Sequence, residues 1–405
     1  MVHHLDVKTA FLNSDLNENI YMHQPEQFVT HDPKKYVCKL NRSIYGLKQS
    51  SMQWNTTFDK YLKELNFKPS KNDSCVYTYF QNDIECIIAL YVDDLLIACN
   101  STQFLNDIKL KLSNKFDIKD LGVVKRFLGV DVDFEVGKIF INQSTFIDDL
   151  LDKFNFSNAK AVSTPVDVSQ KLLKTGVNDE LCNIDDYQSA VGALLYLATR
   201  SRPDIAYAVS TVSKYSSNPS KSHWQAVKRI FRYLKGTKDL GILYSNDDKK
   251  CVGYSDADFA GDLDDRKSTS GFCFLYNNGV ISWKSCKQTC VALSTAEAEF
   301  VSMSAASQES IWLQKLLSDF HIDNVPMLLY GDNQAALSMS KDNRQHGRGK
   351  HIDIKYQYIK DMISKGNILV DYCPTSEMTA DIFTKGLPSE RFSKLRSALG
   401  MCYRS

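Results

Sequence analysis

The stretch IECIIALYVDDLLIAC, residues 84–99, settles the reading of the first part of the chain. Two apolar runs, 84–92 and 95–99, flank Asp93-Asp94, and both are too short and too aperiodic for helices. They read as two strands with the aspartates in the tight turn between them, and 76–80 followed by Gln81-Asn82-Asp83 adds a strand and a turn upstream. Carboxylates a few ångströms apart raise one another's pKa unless a cation sits between them. Mg²⁺ suits such a place, because it takes a few carboxylates plus substrate phosphate oxygens. Two such ions, about 3.5–4 Å apart, can stabilise both the attacking and the leaving oxygen of an in-line phosphoryl displacement. A third carboxylate is needed on a neighbouring strand, and Asp6, at the end of a short strand signal over 2–6, is the candidate. Taken alone, Tyr91-Val92-Asp93-Asp94 is equally readable as an Asp-rich β-turn without metal.

Outward from this hairpin, 47–65 has Trp54, Phe58, Tyr61, Leu62 and Leu65 at helical spacing, and 104–116 is a second amphipathic helix. Residues 127–141 read as a hairpin bent at Gly137. A polar connector spans 163–186. Helices follow at 187–199 and 204–216, separated by Arg200-Ser201-Arg202-Pro203, and at 222–235, with Gly236 as the C-cap. The polar face of the third carries Lys228, Arg229, Arg232 and Lys235, which either track phosphates or form an ordinary solvated face. From residue 251 the grammar becomes strand (251–256), strand (272–276), an Asn277-Asn278-Gly279 turn and strand (280–283). A helix over 295–320, a strand at 327–330, a helix at 333–340, a basic loop at 343–350, a helix at 352–364, a strand at 368–372 and a short helix after Ser376 complete a mixed sheet with helices.

That second pattern carries four more carboxylates. Asp256 ends its first strand, Asp332 follows a later strand, Glu299 lies in the first turns of the long helix, and Asp381 lies on the late short helix. Converging at one sheet edge, they would bind two divalent ions against a phosphodiester. Ser294-Thr295-Ala296-Glu297 matches a capping box, in which Glu297 reaches back to the Ser294 amide. Two residues apart on a helix is about 200° around the axis, so Glu297 and Glu299 cannot both face one site, and Glu299 is assigned to the metal. Asp258 is a weaker rival to Asp256, since strand alternation points both to the same side.

Composition narrows the class. The 405 residues exceed one ordinary domain, and 43% hydrophobic with 24% charged residues is globular. The net charge of +1 gives no bulk argument for nucleic acid, membrane or acidic partners, so any basic surface is local. No apolar run approaches the roughly 20 residues of a membrane helix. The start MVHHLDVKTAF has neither a basic n-region nor an apolar h-region. The eleven scattered cysteines contain no CxxC pair, which reads as reduced thiols in a cytoplasmic setting.

The ordered motifs resemble copia-type LTR retrotransposon Pol polyproteins in their C-terminal part. The matching stretches are Asp6-Val7-Lys8-Thr9-Ala10-Phe11-Leu12, Ile20-Tyr21-Met22-His23-Gln24-Pro25-Glu26, Ser43-Ile44-Tyr45-Gly46-Leu47-Lys48-Gln49, Tyr91-Val92-Asp93-Asp94 and Phe127-Leu128-Gly129-Val130. Further along, Tyr254-Ser255-Asp256-Ala257-Asp258, Lys267-Ser268-Thr269-Ser270-Gly271, residues 293–300, residues 330–335, Lys350-His351-Ile352-Asp353 and Thr379-Ala380-Asp381 are similar to the family's ribonuclease H. The resemblance covers essentially the whole chain. It implies an α+β fold, a polymerase palm and thumb followed by a mixed-sheet ribonuclease H-like α/β domain. The expected division is palm and thumb over 1–165, a helical thumb/connection region over 166–245, ribonuclease H over 246–390 and a tail helix over 391–405.

The resemblance also implies roles. Asp6, Asp93 and Asp94 would hold the polymerase metals, and Asp256, Glu299, Asp332 and Asp381 the nuclease metals, with two Mg²⁺ or Mn²⁺ per active site. Phe11 would reject a ribose 2′-OH, or else be plain core packing; Gln49 would touch the incoming nucleotide. Residues 127–133 would grip the primer. His351 would assist product departure, or else be a surface His at a helix start. Partners would be an RNA template, a DNA primer, dNTPs and an RNA–DNA hybrid, in the cytosol or a virus-like particle. The sequence departs from the family where Ser50-Ser51-Met52 replace Ala-Pro-Arg, and where Ser14 and Gln27 replace glycines. It begins just before Asp6, without the fingers, so the polymerase half as given is expected to have little or no activity. The runner-up expectation is a decayed or host-retained nucleic-acid-binding remnant.

Overall fold

A computed structural model of the protein describes residues 1–247, 250–341 and 350–404. The chain divides into two compact units, Met1–Val124 with Lys315–Ile322, and Lys125–Gln314 with Asp323–Ser405.

The first unit is built on a six-stranded antiparallel sheet in the order Lys68–Pro69, Val76–Gln81, Ile84–Tyr91, Asp94–Cys99, Val2–Val7, Ile118–Val123. Period-two alternation decides its inner face: Cys86, Ile88 and Leu90 on one strand and Leu95, Ile97 and Cys99 on the next are buried. The helix Ser50–Glu64 buries Ser50, Trp54, Phe58 and Leu62, an i, i+4 stripe. The helix Thr102–Lys115 is capped by the Ser101 side chain, which accepts from the Phe104 amide, and buries Leu105, Ile108 and Leu112. These positions join in one core cluster.

The second unit holds two sheets. One runs Met401–Tyr403, Leu240–Ser245, Lys138–Asn142, Val130–Glu135, Arg126–Phe127, antiparallel throughout. The other runs Gly279–Lys287, Thr269–Tyr276, Val252–Ala257, Met327–Gly331, Ile368–Tyr372, with two antiparallel pairings followed by two parallel ones. Each parallel step needs a helical crossover. Thr295–Asp319 supplies the first; Gln334–Lys341 and Lys350–Ser364 supply the second. Helices Ser144–Lys153, Ile184–Arg200, Ala206–Ser213 and Lys221–Gly236 share one core with buried residues from both sheets.

The two compact units part after Val124, ahead of the expected boundary at 165, because the 127–141 hairpin pairs with the strand Leu240–Ser245. The expected tail helix over 391–405 is a helix at Ser389–Ala398 followed by the strand Met401–Tyr403, which finds its partner in the same Leu240–Ser245. Gly236 is the last helical residue rather than the cap, and its missing side chain matters for packing: a Cβ there would lie 2.9 Å from the Ala161 Cβ. The hairpin turn is Asn277-Asn278, both at positive φ, and Gly279 already belongs to the next strand.

Two of the four basic-stripe side chains have structural duties. Arg229 pairs with Asp167 at 3.1 Å, and the Arg232 Nε donates to the Lys160 carbonyl at 2.8 Å, so both fasten the connector. Arg202, in the expected inter-helix link, is entirely buried. Its guanidinium makes two bonds to Asp204, at 2.9 and 2.7 Å, and two to Thr237, at 2.9 and 2.8 Å, while the Tyr233 hydroxyl donates to Asp204 at 2.5 Å. A buried charge pair of this kind is tolerable because nearly every donor has an acceptor.

Candidate active sites

In the first unit, Asp6 pairs directly across from Asp94 in the sheet, and the Val7 amide donates to the Asp93 carbonyl at 2.7 Å. Tyr91 pairs with Asp94, so Val92-Asp93 is a two-residue loop, with Val92 at φ 56. A β-branched residue in the left-handed region is strained and persists only where its surroundings hold it. Here the Trp54 indole donates to the Val92 carbonyl at 2.5 Å. The Asp94 carboxylate lies 2.6 Å from the His4 Nε2, and the Tyr45 hydroxyl donates to Asp93 at 3.4 Å. Burial, then the neighbouring Asp93, pushes the Tyr45 phenol up. Phe11 is buried, with its ring 4.5 Å from that of Tyr45, and the Gln49 amide donates to Glu18 at 2.7 Å. The sheet thus brings the three expected aspartates to one end, with Phe11 packed beside Tyr45, the partner of Asp93.

In the second unit, Asp256, Asp332 and Asp381 each offer a carboxylate oxygen within 4.8 Å of the others. Among the described residues, this is the one set of three His, Cys, Asp or Glu side chains gathered so tightly. Asp256 comes from the Val252–Ala257 strand and Asp332 from just beyond Met327–Gly331, which pairs with it in parallel. Asp381 sits on the 3-10 turn Thr379–Phe383. Ser302, one turn past Glu299 on the long helix, donates to the Asp256 carbonyl at 2.7 Å and to the Gly271 carbonyl at 3.2 Å, tying that helix to two strands.

The electrostatics are those of a site short of positive charge. Burial, then the charges of Asp256 and Asp332, pushes Glu299 up to about 10. Burial and Asp256 push Asp381 up to about 7, against the opposing pull of Lys385 and Arg391. Glu297 has the capping role, with one difference. Its amide donates to Ser294 Oγ at 3.2 Å, but its carboxylate accepts from the Leu293 amide at 2.9 Å rather than from that of Ser294. Asp258 does not join the trio; its carboxylate accepts from the Thr269 amide, and burial lifts it to about 6. The side chain of His351 lies outside the described residues.

Sequence reasoning missed the groups that hold these carboxylates. Thr375 donates to Asp332 at 2.7 Å, and Thr384 donates to Asp256. Lys385 Nζ lies 2.7 Å from Asp381 and 3.5 Å from Asp256, and Arg391 pairs with Asp381. Lys385, four residues after Asp381 on a helical turn, was legible as an ion-pair partner; Arg391 arrives from the next helix and left no local signal. The donor set is all oxygen, clustered and mutually repelling, and it fits a hard divalent cation such as Mg²⁺ or Mn²⁺ held by Asp256, Asp332 and Asp381 with Glu299 beside them.

Comparison with known proteins adds relatives to this geometry. The family described as reverse transcriptase (RNA-dependent DNA polymerase) matches residues 1–168. The retrovirus-related Pol polyprotein from transposon TNT 1-94 of Nicotiana tabacum is 41% identical over 409 residues, covering 99% of this chain and 31% of that protein. The putative transposon Ty5-1 protein of Saccharomyces cerevisiae is 33% identical over 308 residues, covering 75% of this chain and 100% of that protein. A foamy viral protease-reverse transcriptase solved with an RNA/DNA hybrid shares the fold, at a TM-score of 0.52 and 12% identity over 96% of this chain and 45% of that one. The chain spans only 27–31% of the length of the plant Pol polyproteins it matches.

Proposed function

The chain belongs to the copia-type retrotransposon Pol polyproteins, and on that premise we propose that its second unit cuts the RNA strand of RNA–DNA hybrids at Asp256, Glu299, Asp332 and Asp381. The observation that carries this reading is the convergence of three carboxylates from two adjacent parallel strands and a turn to within 4.8 Å, with the buried Glu299 carboxyl pushed up by the charges of Asp256 and Asp332. Divalent ions held there would supply charge stabilisation to the phosphoryl oxygens. The chain's own groups set the geometry: Thr384 and Thr375 orient Asp256 and Asp332, Arg391 fixes Asp381, and Ser302 anchors the backbone of Asp256. Recognition of any hybrid sequence would rest on backbone shape and the 2′-hydroxyls that mark the RNA strand.

For the first unit we propose nucleotidyl transfer to a DNA primer on an RNA template, with dNTPs as substrates and Asp6, Asp93 and Asp94 as the metal-holding set. Support comes from the direct Asp6–Asp94 pairing and the two-residue loop that presents Asp93.

The deciding experiment uses the full chain with a 5′-labelled RNA annealed to DNA, in Mg²⁺ or Mn²⁺. The wild type is expected to cut the RNA strand of the hybrid and to spare RNA alone, whereas Asp332→Asn abolishes cutting. Equal cleavage by both proteins would refute the assignment. Hybrid binding with no cleavage by the wild type would favour a binding remnant instead.

A further inference from the structure

We propose that Lys385 is the resident cation of the carboxylate centre: its ammonium bridges Asp256 and Asp381 in the metal-free chain and swings into the adjoining cavity when divalent ions load. The inference rests on the reading of that centre as a metal site. Lys385 Nζ is 2.7 Å from Asp381 and 3.5 Å from Asp256, two of the three carboxylates whose oxygens lie within 4.8 Å of one another. An ammonium seated between these carboxylates and a divalent ion drawn to them repel each other at such short range, so the two compete for the centre.

The two cations at the centre differ in their freedom to leave. Arg391 bonds both the Asp381 carboxylate and the Thr375 carbonyl, so a rigid fork ties it to backbone as well as to charge. Lys385 holds only carboxylates, on a flexible four-carbon stem, and its side chain is 38% exposed while those of Asp256 and Asp381 are 2% and 0% exposed. It therefore has a way out that its partners lack. The way out has a floor: a cavity of about 220 Å³ is lined by Lys385, Gly386, Asp258, Thr269, Tyr207 and Lys214 among others. Asp258, which lines the same cavity, offers the displaced ammonium a second carboxylate there.

Two consequences follow from the competition. Removing the ammonium removes a competitor, so metal binds more tightly. It also leaves the metal-free carboxylates with less neutralisation, so the metal-free fold weakens. The test uses the full chain and Mn²⁺, with binding read by electron paramagnetic resonance and stability by thermal melting. Lys385→Met is expected to bind its first Mn²⁺ about tenfold more tightly than wild type. It is also expected to melt at lower temperature without metal and to recover with saturating Mn²⁺. Lys385→Arg keeps the competing charge and should keep wild-type affinity to within a small factor.

A second measurement needs no variant. Acylation of the Lys385 amine in the wild type, mapped by mass spectrometry, should rise when Mn²⁺ is added. Unchanged or weaker Mn²⁺ affinity in Lys385→Met, or acylation that stays level or falls in a wild type that binds Mn²⁺, would overturn the inference. Asp332→Asn separates the two readings. If it loses Mn²⁺ while Lys385→Met behaves as wild type, only the lysine inference fails. If wild type and Asp332→Asn bind Mn²⁺ alike, or neither binds it, the metal centre itself is wrong and the inference falls with it.

Discussion

Gly271→Ala probes how tightly the sheet fixes the candidate nuclease centre. Gly271 pairs with Asp256 across the sheet, and a Cβ built on it would lie 2.7 Å from the Phe383 Cβ and 2.7 Å from the Thr384 Cγ2. It would also lie 3.2 Å from the Ala380 carbonyl. Ordinary contact begins near 3.4 Å, so the turn carrying Asp381 and Thr384 must back away by about 0.7 Å. The atoms met belong to backbone and to short side chains, which cannot fold aside. Overpacking of this kind costs about 1–3 kcal/mol. A displacement near 1 Å at a reacting centre costs on the order of a hundredfold in rate. The expected result is a modest loss of melting temperature, about 2–4 °C per kcal/mol for a unit of this size, alongside a roughly hundredfold fall in hybrid cleavage and weaker Mn²⁺ binding. Gly253→Ala is the control. Its Cβ would press on the Phe274 and Leu329 side chains at 2.6 and 2.8 Å, within the core and away from the turn. It should cost similar stability with little loss of Mn²⁺ affinity. If Gly271→Ala loses no more cleavage and metal affinity than Gly253→Ala, the reasoning that this glycine seats the Asp381 turn is refuted.

Metal binding should release protons. Glu299 and Asp381 stand at about 10 and about 7 without metal, above their ordinary values of 4.5 and 3.8, so metal affinity should climb with pH, by about two logarithmic units per pH unit near pH 6 and about one near pH 8. Calorimetry in buffers of different ionisation enthalpy counts those protons, and a pH-independent affinity would contradict it. Because both folded-state values are raised, their contribution to metal-free stability is complete below about pH 4 and is lost as pH rises through 7 for Asp381 and towards 10 for Glu299. Arg202→Met leaves Asp204 charged, buried and without its main partner, at a cost of about 3–5 kcal/mol; hydrogen exchange of the Leu240–Ser245 strand in urea reads it, and a loss below about 1 kcal/mol would show the pair to be dispensable. Trp54→Phe removes the indole donor from the Val92 carbonyl, costs about 1–3 kcal/mol and loosens the Asp93 loop. Exchange of the Val7 amide, which bonds the Asp93 carbonyl, should accelerate, and unchanged protection would sink the idea.

The chain of 405 residues declared its local elements openly. Alternation over 84–99 fixed two strands and the loop between them, the Trp54–Phe58–Leu62 stripe fixed a helix, and Ser294 with Glu297 marked the start of the long helix. These signals are legible because they depend on neighbours within a few residues, where backbone period and capping geometry leave one good solution. The same logic separated Glu299 from Glu297, since a helix puts them on opposite sides. It could not separate Asp256 from Asp258, which alternation sends to the same side; the end of the strand at Ala257 and the Thr269 amide decided that. Nor could it find the Met401–Tyr403 strand, whose three residues acquire a sheet only because Leu240–Ser245 offers an open edge. Asp256, Asp332 and Asp381, whose carboxylates converge, could each be placed along the chain from strand ends and a late helical turn. Which cations and hydroxyls hold them was not legible, because Thr375, Thr384, Lys385 and Arg391 reach them through tertiary packing. Sequence determines where a charge is placed along an element, while charge balance is a sum over everything that folds within a few ångströms of it.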